Sequence, residues 1–271
     1  MAWLDVAIEI LALLFVLYLY LILPSLRHPD AAALTGKRYA HRGLHDGNHV
    51  VHENSLEAFR RAVDAGYGIE LDVQLTADRL LVVHHDADTA RVCGRSAVIR
   101  DTCYAALPTL PDGSPIPTFE DVLNLVAGRI PLIVEIKSYG SPSENAAATQ
   151  ALLANYAGAY CVESFHPAAV RYFRKHAPHT LRGQLAMGGR RNKQEVGLAT
   201  HCALKYLLVN ARGRPHLVAY QSAGDGNLSM WIMKRLYKPL LAAWTLRTQA
   251  ALDAAEHKGY HLFIFELFRP Q

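Results

Sequence analysis

The stretch Gly68-Ile69-Glu70-Leu71-Asp72-Val73 decides how the rest of the chain is read. Successive side chains of a β-strand point to opposite faces, so Glu70 and Asp72 share one side while Ile69, Leu71 and Val73 take the other. The same alternation recurs in Ile133-Val134-Glu135-Ile136-Lys137, where Glu135 and Lys137 share a face. Two carboxylates this close disfavour joint ionisation inside a protein unless positive charge neutralises them. A hard divalent cation with oxygen ligands is one solution. An ion-pair network balanced by Lys137 and Arg42 is the other.

Outward from these segments, short apolar runs alternate with helical patterns, as expected of β-α units around a parallel sheet buried on both faces. Strands are expected at Arg38–His41, Gly68–Val73, Pro131–Ile136, Ala159–Ser164, Leu181–Ala186, Pro239–Thr245 and His261–Glu266, with an additional one at Leu80–His84. A broken strand is expected between Lys205 and Tyr220, where the turn formers Gly213, Pro215, Gly224, Asp225 and Gly226 across 210–230 predict mostly loop. Helices are expected at Ser55–Ala65, with Leu56, Phe59 and Val63 on one face, and at Ala168–His176. Eight such alternations suit a (β/α)8 TIM barrel better than an open sheet. The chain of 271 residues, 51% apolar, is of the size that one such barrel fills.

Several polar residues fall where these strands end, the place where barrel enzymes carry their chemistry. His41 closes the first strand and precedes Arg42-Gly43, and His84-His85-Asp86 closes the run Leu80–Val83, with one histidine of the pair pointing inward and the other outward. A lone strand-end histidine is more often structural than catalytic. The coincidence of His, Arg, Glu, Asp, His, Glu and Lys at the strand ends of three consecutive units is what singles them out.

The first residues are of another kind. Ile10–Leu23 are all apolar or Tyr, and Val6–Ile8 extend the run behind Glu9, nearly a membrane span. Arg27, Lys37 and Arg38 follow it, which places the C-terminal side in the cytoplasm and reads as a single-pass membrane protein. A secretory signal would carry a basic leading region, missing here. A helix packed on the barrel is the plainer alternative. The expected organisation is therefore an anchor over 1–26, a linker over 27–37 containing Pro29, and a barrel domain over 38–271. The net charge of +4 comes from scattered Lys and Arg, so no nucleic-acid partner is expected. Cys93, Cys103, Cys161 and Cys202 are widely spaced and read as free thiols.

The strings Ala40-His41-Arg42-Gly43, Glu53-Asn54-Ser55, Glu70-Leu71-Asp72-Val73-Gln74-Leu75-Thr76-Ala77-Asp78, His85-Asp86 and Glu135-Ile136-Lys137 resemble the glycerophosphodiester phosphodiesterase family in order and spacing. The likeness continues through Pro117-Thr118-Phe119-Glu120, Glu163-Ser164-Phe165-His166-Pro167, Trp244-Thr245 and Phe265-Glu266, covering nearly everything after Arg38. The resemblance implies a barrel of the phospholipase-C-like phosphodiesterase type that hydrolyses glycerophosphodiesters to sn-glycerol 3-phosphate and an alcohol. It also implies one divalent cation on Glu70, Asp72 and Glu135, His41 and His85 as the acid/base pair, and Arg42 and Lys137 as phosphate contacts. His85 is preferred to His84 because the family's His-Asp pair aligns there. A site of three carboxylates without sulfur suits Mg²⁺ or Ca²⁺. Ser55 stands where Thr is commoner and Glu266 where many members have Asp, and neither is expected to touch the chemistry.

Three other readings compete. A membrane-tethered lysophospholipase D would keep the chemistry and take single-chain lipids, with Tyr220, Trp231, Tyr237 and Trp244 as an apolar rim unless they are core. A zinc hydrolase is suggested by fourteen histidines, but no His-x-His occurs, and His45, His49 and His52 fall in the loop before the first helix. A membrane-anchored binding protein on a catalytically dead barrel would have lost an acid, base or ligand, and none is lost. The basic residues Arg182, Arg190, Arg191, Lys193, Lys234, Arg235 and Lys238 form either a solvated surface or a face toward anionic lipid.

Overall fold

Apolar runs bounded by turn formers become strands. The computed structural model describes residues 2–189 and 197–271. In chain order its elements are α1 (Ala2–Ile22), β1 (Lys37–His41), α2 (Leu56–Asp64), β2 (Gly68–Leu75), β3 (Leu81–Val83), α3 (Ala90–Cys93), α4 (Phe119–Val126), β4 (Leu132–Ile136), α5 (Pro142–Leu153), β5 (Tyr160–Ser164) and α6 (Pro167–His176). There follow β6 (Arg182–Ala186), α7 (Leu198–Lys205), α8 (Asn210–Gly213), β7 (Leu217–Gln221), α9 (Leu228–Ile232), which runs on as a π turn over Met233–Tyr237, β8 (Leu240–Leu246), α10 (Gln249–His257) and β9 (Leu262–Phe265).

Strands β1, β2, β4, β5, β6, β7, β8 and β9 pair in parallel and close on one another through β1–β9 and β1–β2, giving the eight-stranded barrel. The additional strand β3 pairs antiparallel with the far end of β2. The strand expected as broken between Lys205 and Tyr220 departs from the sequence reading: β7 is a regular parallel strand between β6 and β8, and the residues before it form α7 and α8. The turn formers Gly213 and Pro215 mark the approach to this strand rather than breaking it.

Strand alternation divides the core in two. Ile69, Leu71, Val73, Leu132, Val134 and Ile136 join Phe59, Phe119 and Phe173 in the layer between sheet and helices. Tyr39, Ile133, Cys161, Leu217, Ala219, Leu262 and Ile264 fill the barrel interior. Ala31 and Leu34, from the stretch expected as a linker, are buried with this inner set, and the Tyr39 hydroxyl donates to Leu34 O at 2.7 Å, so that stretch closes the barrel floor.

Motifs that carried no chemical role turn out to start helices. The Ser55 hydroxyl accepts from Ala58 N at the head of α2, Thr118 and Asp121 form a capping box on α4, and the His166 ring caps α6 ahead of Pro167. All four cysteines are free thiols.

Candidate active site

The carboxyl end of β1 delivers His41, and the chain leaves the sheet through Arg42 at φ 56°. Left-handed backbone is uncommon for a residue with a Cβ and persists only where its surroundings hold it. Here the Arg42 N–H donates to Glu70 O at 2.9 Å and reaches Glu70 Oε2 at 3.1 Å. Gly43 follows, and a Cβ there would lie 2.8 Å from Ala58 Cβ, so the turn rests on α2 only because the residue is glycine.

Glu70 and Asp72 on β2 and Glu135 on β4 project into the barrel mouth, and one carboxylate oxygen from each lies within 4.8 Å of the others. All three are buried. Asp72 accepts from Asn54 Nδ2 at 2.9 Å, with Arg42 Nε at 3.4 Å and Lys137 Nζ at 3.3 Å. Lys137 Nζ also donates to Glu135 Oε1 at 2.8 Å. Burial pushes the Glu70 carboxyl up, and Asp72 and Glu135 beside it push it further. Burial pushes Asp72 the same way, but Lys137, His85 and Arg42 outweigh it and hold Asp72 well below the usual range. The pair thus splits as neighbouring carboxylates must.

A cavity of about 210 Å³ opens here, lined by His41, Arg42, Glu70, His85, Glu135, Glu163, Phe165, Trp244 and Arg247 among others. Each histidine on it has its Nδ1 tied to a carboxylate. His41 Nδ1 lies 2.7 Å from Glu266 Oε1, and Glu266 Oε2 accepts from Arg247. His85 Nδ1 lies 2.6 Å from Asp86 Oδ1, and Asp86 Oδ2 accepts from Arg91 Nε at 2.6 Å. Arg91 also makes two 2.7 Å bonds to Glu53, which in turn accepts from Arg42 Nη1 at 2.7 Å. Burial lowers the His41 pKa, and the Glu266 bond only partly restores it. Burial would raise Glu266, yet His41 and Arg247 bring its carboxyl down to about 2. His84 is buried off this cavity, with its ring 3.4 Å from Asp88 O.

The model of the glycerophosphoryl diester phosphodiesterase family matches residues 41–264. The chain belongs to that family. A glycerophosphodiester phosphodiesterase of Bacillus altitudinis is 34% identical over 167 residues, 56% of this chain and 66% of that protein. The chain therefore spans just under two thirds of that relative. The crystal structure of a Parabacteroides distasonis glycerophosphodiester phosphodiesterase superimposes with TM-score 0.66 at 25% identity, covering 84% of this chain and 92% of the other. Human lysophospholipase D GDPD1 is 36% identical over 93 residues, 34% of this chain and 29% of that protein.

Within this family frame the structure corrects several expectations. Glu266 was expected to stay clear of the chemistry, and it holds His41. Glu163 was only part of a family string, yet its side chain is 2% exposed, lines the cavity and leaves Oε2 without a hydrogen bond. The signal was legible: Glu163 stands opposite Glu135 in the β4–β5 register, which puts it on the inward face. Of the aromatic rim, Trp244 alone lines the cavity, edge-on to Phe165 with ring centroids 5.7 Å apart. Tyr220 is core, with its hydroxyl on Lys205 O, while Trp231 and Tyr237 belong to α9 and its π turn. Arg182 is buried at the start of β6, donating to the carbonyls of Gly213 and Arg214, and so faces no lipid. Lys234 pairs with Asp225 at 2.8 Å, Arg235 and Lys238 are exposed, and Arg190, Arg191 and Lys193 lie outside the described residues. His52 is buried, His49 exposed, and the mostly buried His45 ring sits 3.8 Å from Glu266. Among the described residues, the group able to hold a metal contains carboxylates only, which runs against the zinc reading.

Proposed function

We propose that this chain hydrolyses glycerophosphodiesters to sn-glycerol 3-phosphate and an alcohol, with one divalent cation held by Glu70, Asp72 and Glu135. The observation that carries the proposal is the convergence of Glu70, Asp72 and Glu135 beside a cavity that Glu70 and Glu135 line together with His41 and His85. The charge around it fits a cation. Four buried carboxylates, Glu70, Asp72, Glu135 and Glu163, face two cationic side chains, Arg42 and Lys137, and Arg42 is shared with Glu53. The deficit is that of a hard divalent ion such as Mg²⁺ or Ca²⁺. When bound, the ion would act as a Lewis acid toward a phosphoryl oxygen.

The protein's own groups do the rest. A phosphodiester resists attack because its anionic oxygens repel nucleophiles and its alkoxide leaves poorly. Arg42 and Lys137 answer the first problem by spreading the phosphoryl charge. The two imidazoles answer the second. With Nδ1 bound to Glu266 or Asp86, each ring presents Nε2 to the cavity, one to take a proton from the nucleophile and the other to give one to the departing oxygen. The adjacent glycerol hydroxyl is the nucleophile favoured by the family resemblance, giving a cyclic phosphate that water opens. We place the barrel on the cytoplasmic side of a membrane spanned by α1, whose Trp3–Ile22 stretch has mean hydropathy 2.3 and is exposed along most of its length.

A second reading, lysophospholipase D activity, draws on the partial likeness to the human enzyme and on the Phe165–Trp244 wall, which could take an acyl-bearing glycerol. Glycerophosphocholine and lysophosphatidylcholine assayed with Mg²⁺, Ca²⁺ and chelator separate the readings. Chelator-sensitive release of choline from glycerophosphocholine supports the first, release from the lysolipid alone supports the second, and turnover that survives exhaustive chelation refutes the metal site.

A further inference from the structure

The apolar helix is gripped by the barrel. The Tyr18 hydroxyl lies 2.7 Å from Ser229 Oγ, Tyr237 donates to Leu19 O at 3.1 Å, and fully buried Asn210 donates to Ile22 O at 2.9 Å. Arg214 donates to the carbonyls of Tyr20 and Leu23 and lays its guanidinium 4.4 Å from the Tyr20 ring. These bonds satisfy the carbonyls that a helix C-terminus leaves open and fix α1 rigidly to the α8–α9 side of the barrel.

The grip shortens what is left to span a bilayer. At 1.5 Å per residue the whole helix is about 31 Å long, close to a hydrocarbon core of about 30 Å. Its last turn, from Tyr18, is taken up by the barrel, so the freely exposed stretch Trp3–Leu17 covers only about 22 Å. A helix that is too short thins the bilayer or draws its attached protein inward. The surface beside the grip suits the second course. Between the two contact residues Ser229 and Tyr237, α9 and its π turn expose Trp231 at 61% and Leu236 at 60%, with Leu228 at 54% just ahead. Large apolar side chains on water are costly, and Trp, Tyr and neighbouring cations are the residues that settle at a membrane interface. Tyr18, Tyr20 and Tyr237 gather at the helix end, and Arg235 and Lys238, in the π turn and at its cap, are exposed to meet anionic head groups.

We propose that this face of the barrel, Leu228, Trp231 and Leu236 with Arg235 and Lys238, is sunk in the head-group and upper acyl layer of an anionic bilayer. The proposal rests on the reading of α1 as a spanning helix and adds that the enzyme is a surface-seated barrel rather than one swinging on a tether.

Tryptophan emission of the full chain in phosphatidylcholine–phosphatidylserine vesicles, with lipids brominated high on the acyl chain, tests it. Trp231 is isolated as the difference between Trp3→Phe and the double variant Trp3→Phe/Trp231→Phe, and Trp3 as that between Trp231→Phe and the same double variant. The expected result is loss of most Trp231 emission on bromination, together with quenching of Trp3, which lies towards the opposite face of the bilayer, by the same lipid present in both leaflets. Quenching of Trp3 while Trp231 stays bright and open to aqueous iodide leaves the anchor standing and overturns the seated face. A Trp231 shielded from iodide yet untouched by brominated lipid identifies a second copy of the chain as occupant and also overturns it. Absence of quenching at both positions removes the anchor itself.

Discussion

Replacing Glu266 by Gln tests the arrangement around His41 most directly. The bond to His41 Nδ1 is 2.7 Å long, and the carboxylate is held down near a pKa of about 2 by His41 and by Arg247. Gln keeps an oxygen that can accept from Nδ1 and removes the charge. A hydrogen bond to an ionised group contributes about 1.5–3 kcal/mol, against about 1 kcal/mol for a neutral one. If the imidazole gains its positive charge in the transition state, the difference of about 0.5–2 kcal/mol between the two bonds is lost there and kcat falls by about 2- to 30-fold. The charge on Glu266 also raises the His41 pKa against burial, so its removal lowers that pKa further. The limb of the kcat/KM profile that reports His41 therefore moves to lower pH. Glu266→Asp keeps the charge with a shorter reach and should fall between wild type and Gln. The assay is choline release from glycerophosphocholine across pH at saturating metal, with a thermal melt to show that the fold persists. A Gln variant with wild-type turnover and an unmoved profile would refute the role given to this pair.

Arg91→Ala removes the bridge between Glu53 and Asp86; since Arg91 is half exposed, we expect a loss of about 1–2 kcal/mol of stability and a lower turnover through misplacement of His85, with Arg91→Lys partly restoring both. Melting and turnover measured on the same preparations check this, and unchanged turnover in the Ala variant would exclude the coupling. His216 is buried beside Arg182, and burial together with that guanidinium lowers its pKa to about 3. The unfolded chain therefore takes a proton near pH 6.5 that the folded one refuses until about pH 3, so stability drops on acidification across that window with a limiting slope of about 1.4 kcal/mol per pH unit. Denaturant titrations at several pH values should show a shallower drop in His216→Gln. Gly43→Ala would place a Cβ 2.8 Å from Ala58 on a backbone at φ 85°, and should cost at least about 2 kcal/mol while displacing His41 and Arg42, read as a lower melting temperature and lost turnover.

How much of this was legible beforehand follows from the range of the interactions. The strands of the eight units could be read because alternation is a property of adjacent residues, and Glu70, Asp72, Glu135 and Lys137 inherited their inward direction from it. The approach to β7 was misread because Gly213 and Pro215 signal a turn without saying what stands on either side. Asn210, which anchors α8, is held by Ile22 O, a partner 188 residues away. Glu163 escaped that limit, since alternation from Cys161 along β5 turns it inward and its register with Glu135 agrees.

Local periods, the family motifs and an apolar N-terminal helix could be read from the chain alone, since each depends on residues a few positions apart. The carboxylate that serves His41 was settled by the tertiary structure alone. Glu266 reaches His41 across 225 residues of chain because closure of the barrel sets β9 beside β1. Only the fold, likewise, brought the end of α1 against Asn210, Arg214, Ser229 and Tyr237. Pairings of that kind are made by the ring of strands, and no window along the chain contains both partners.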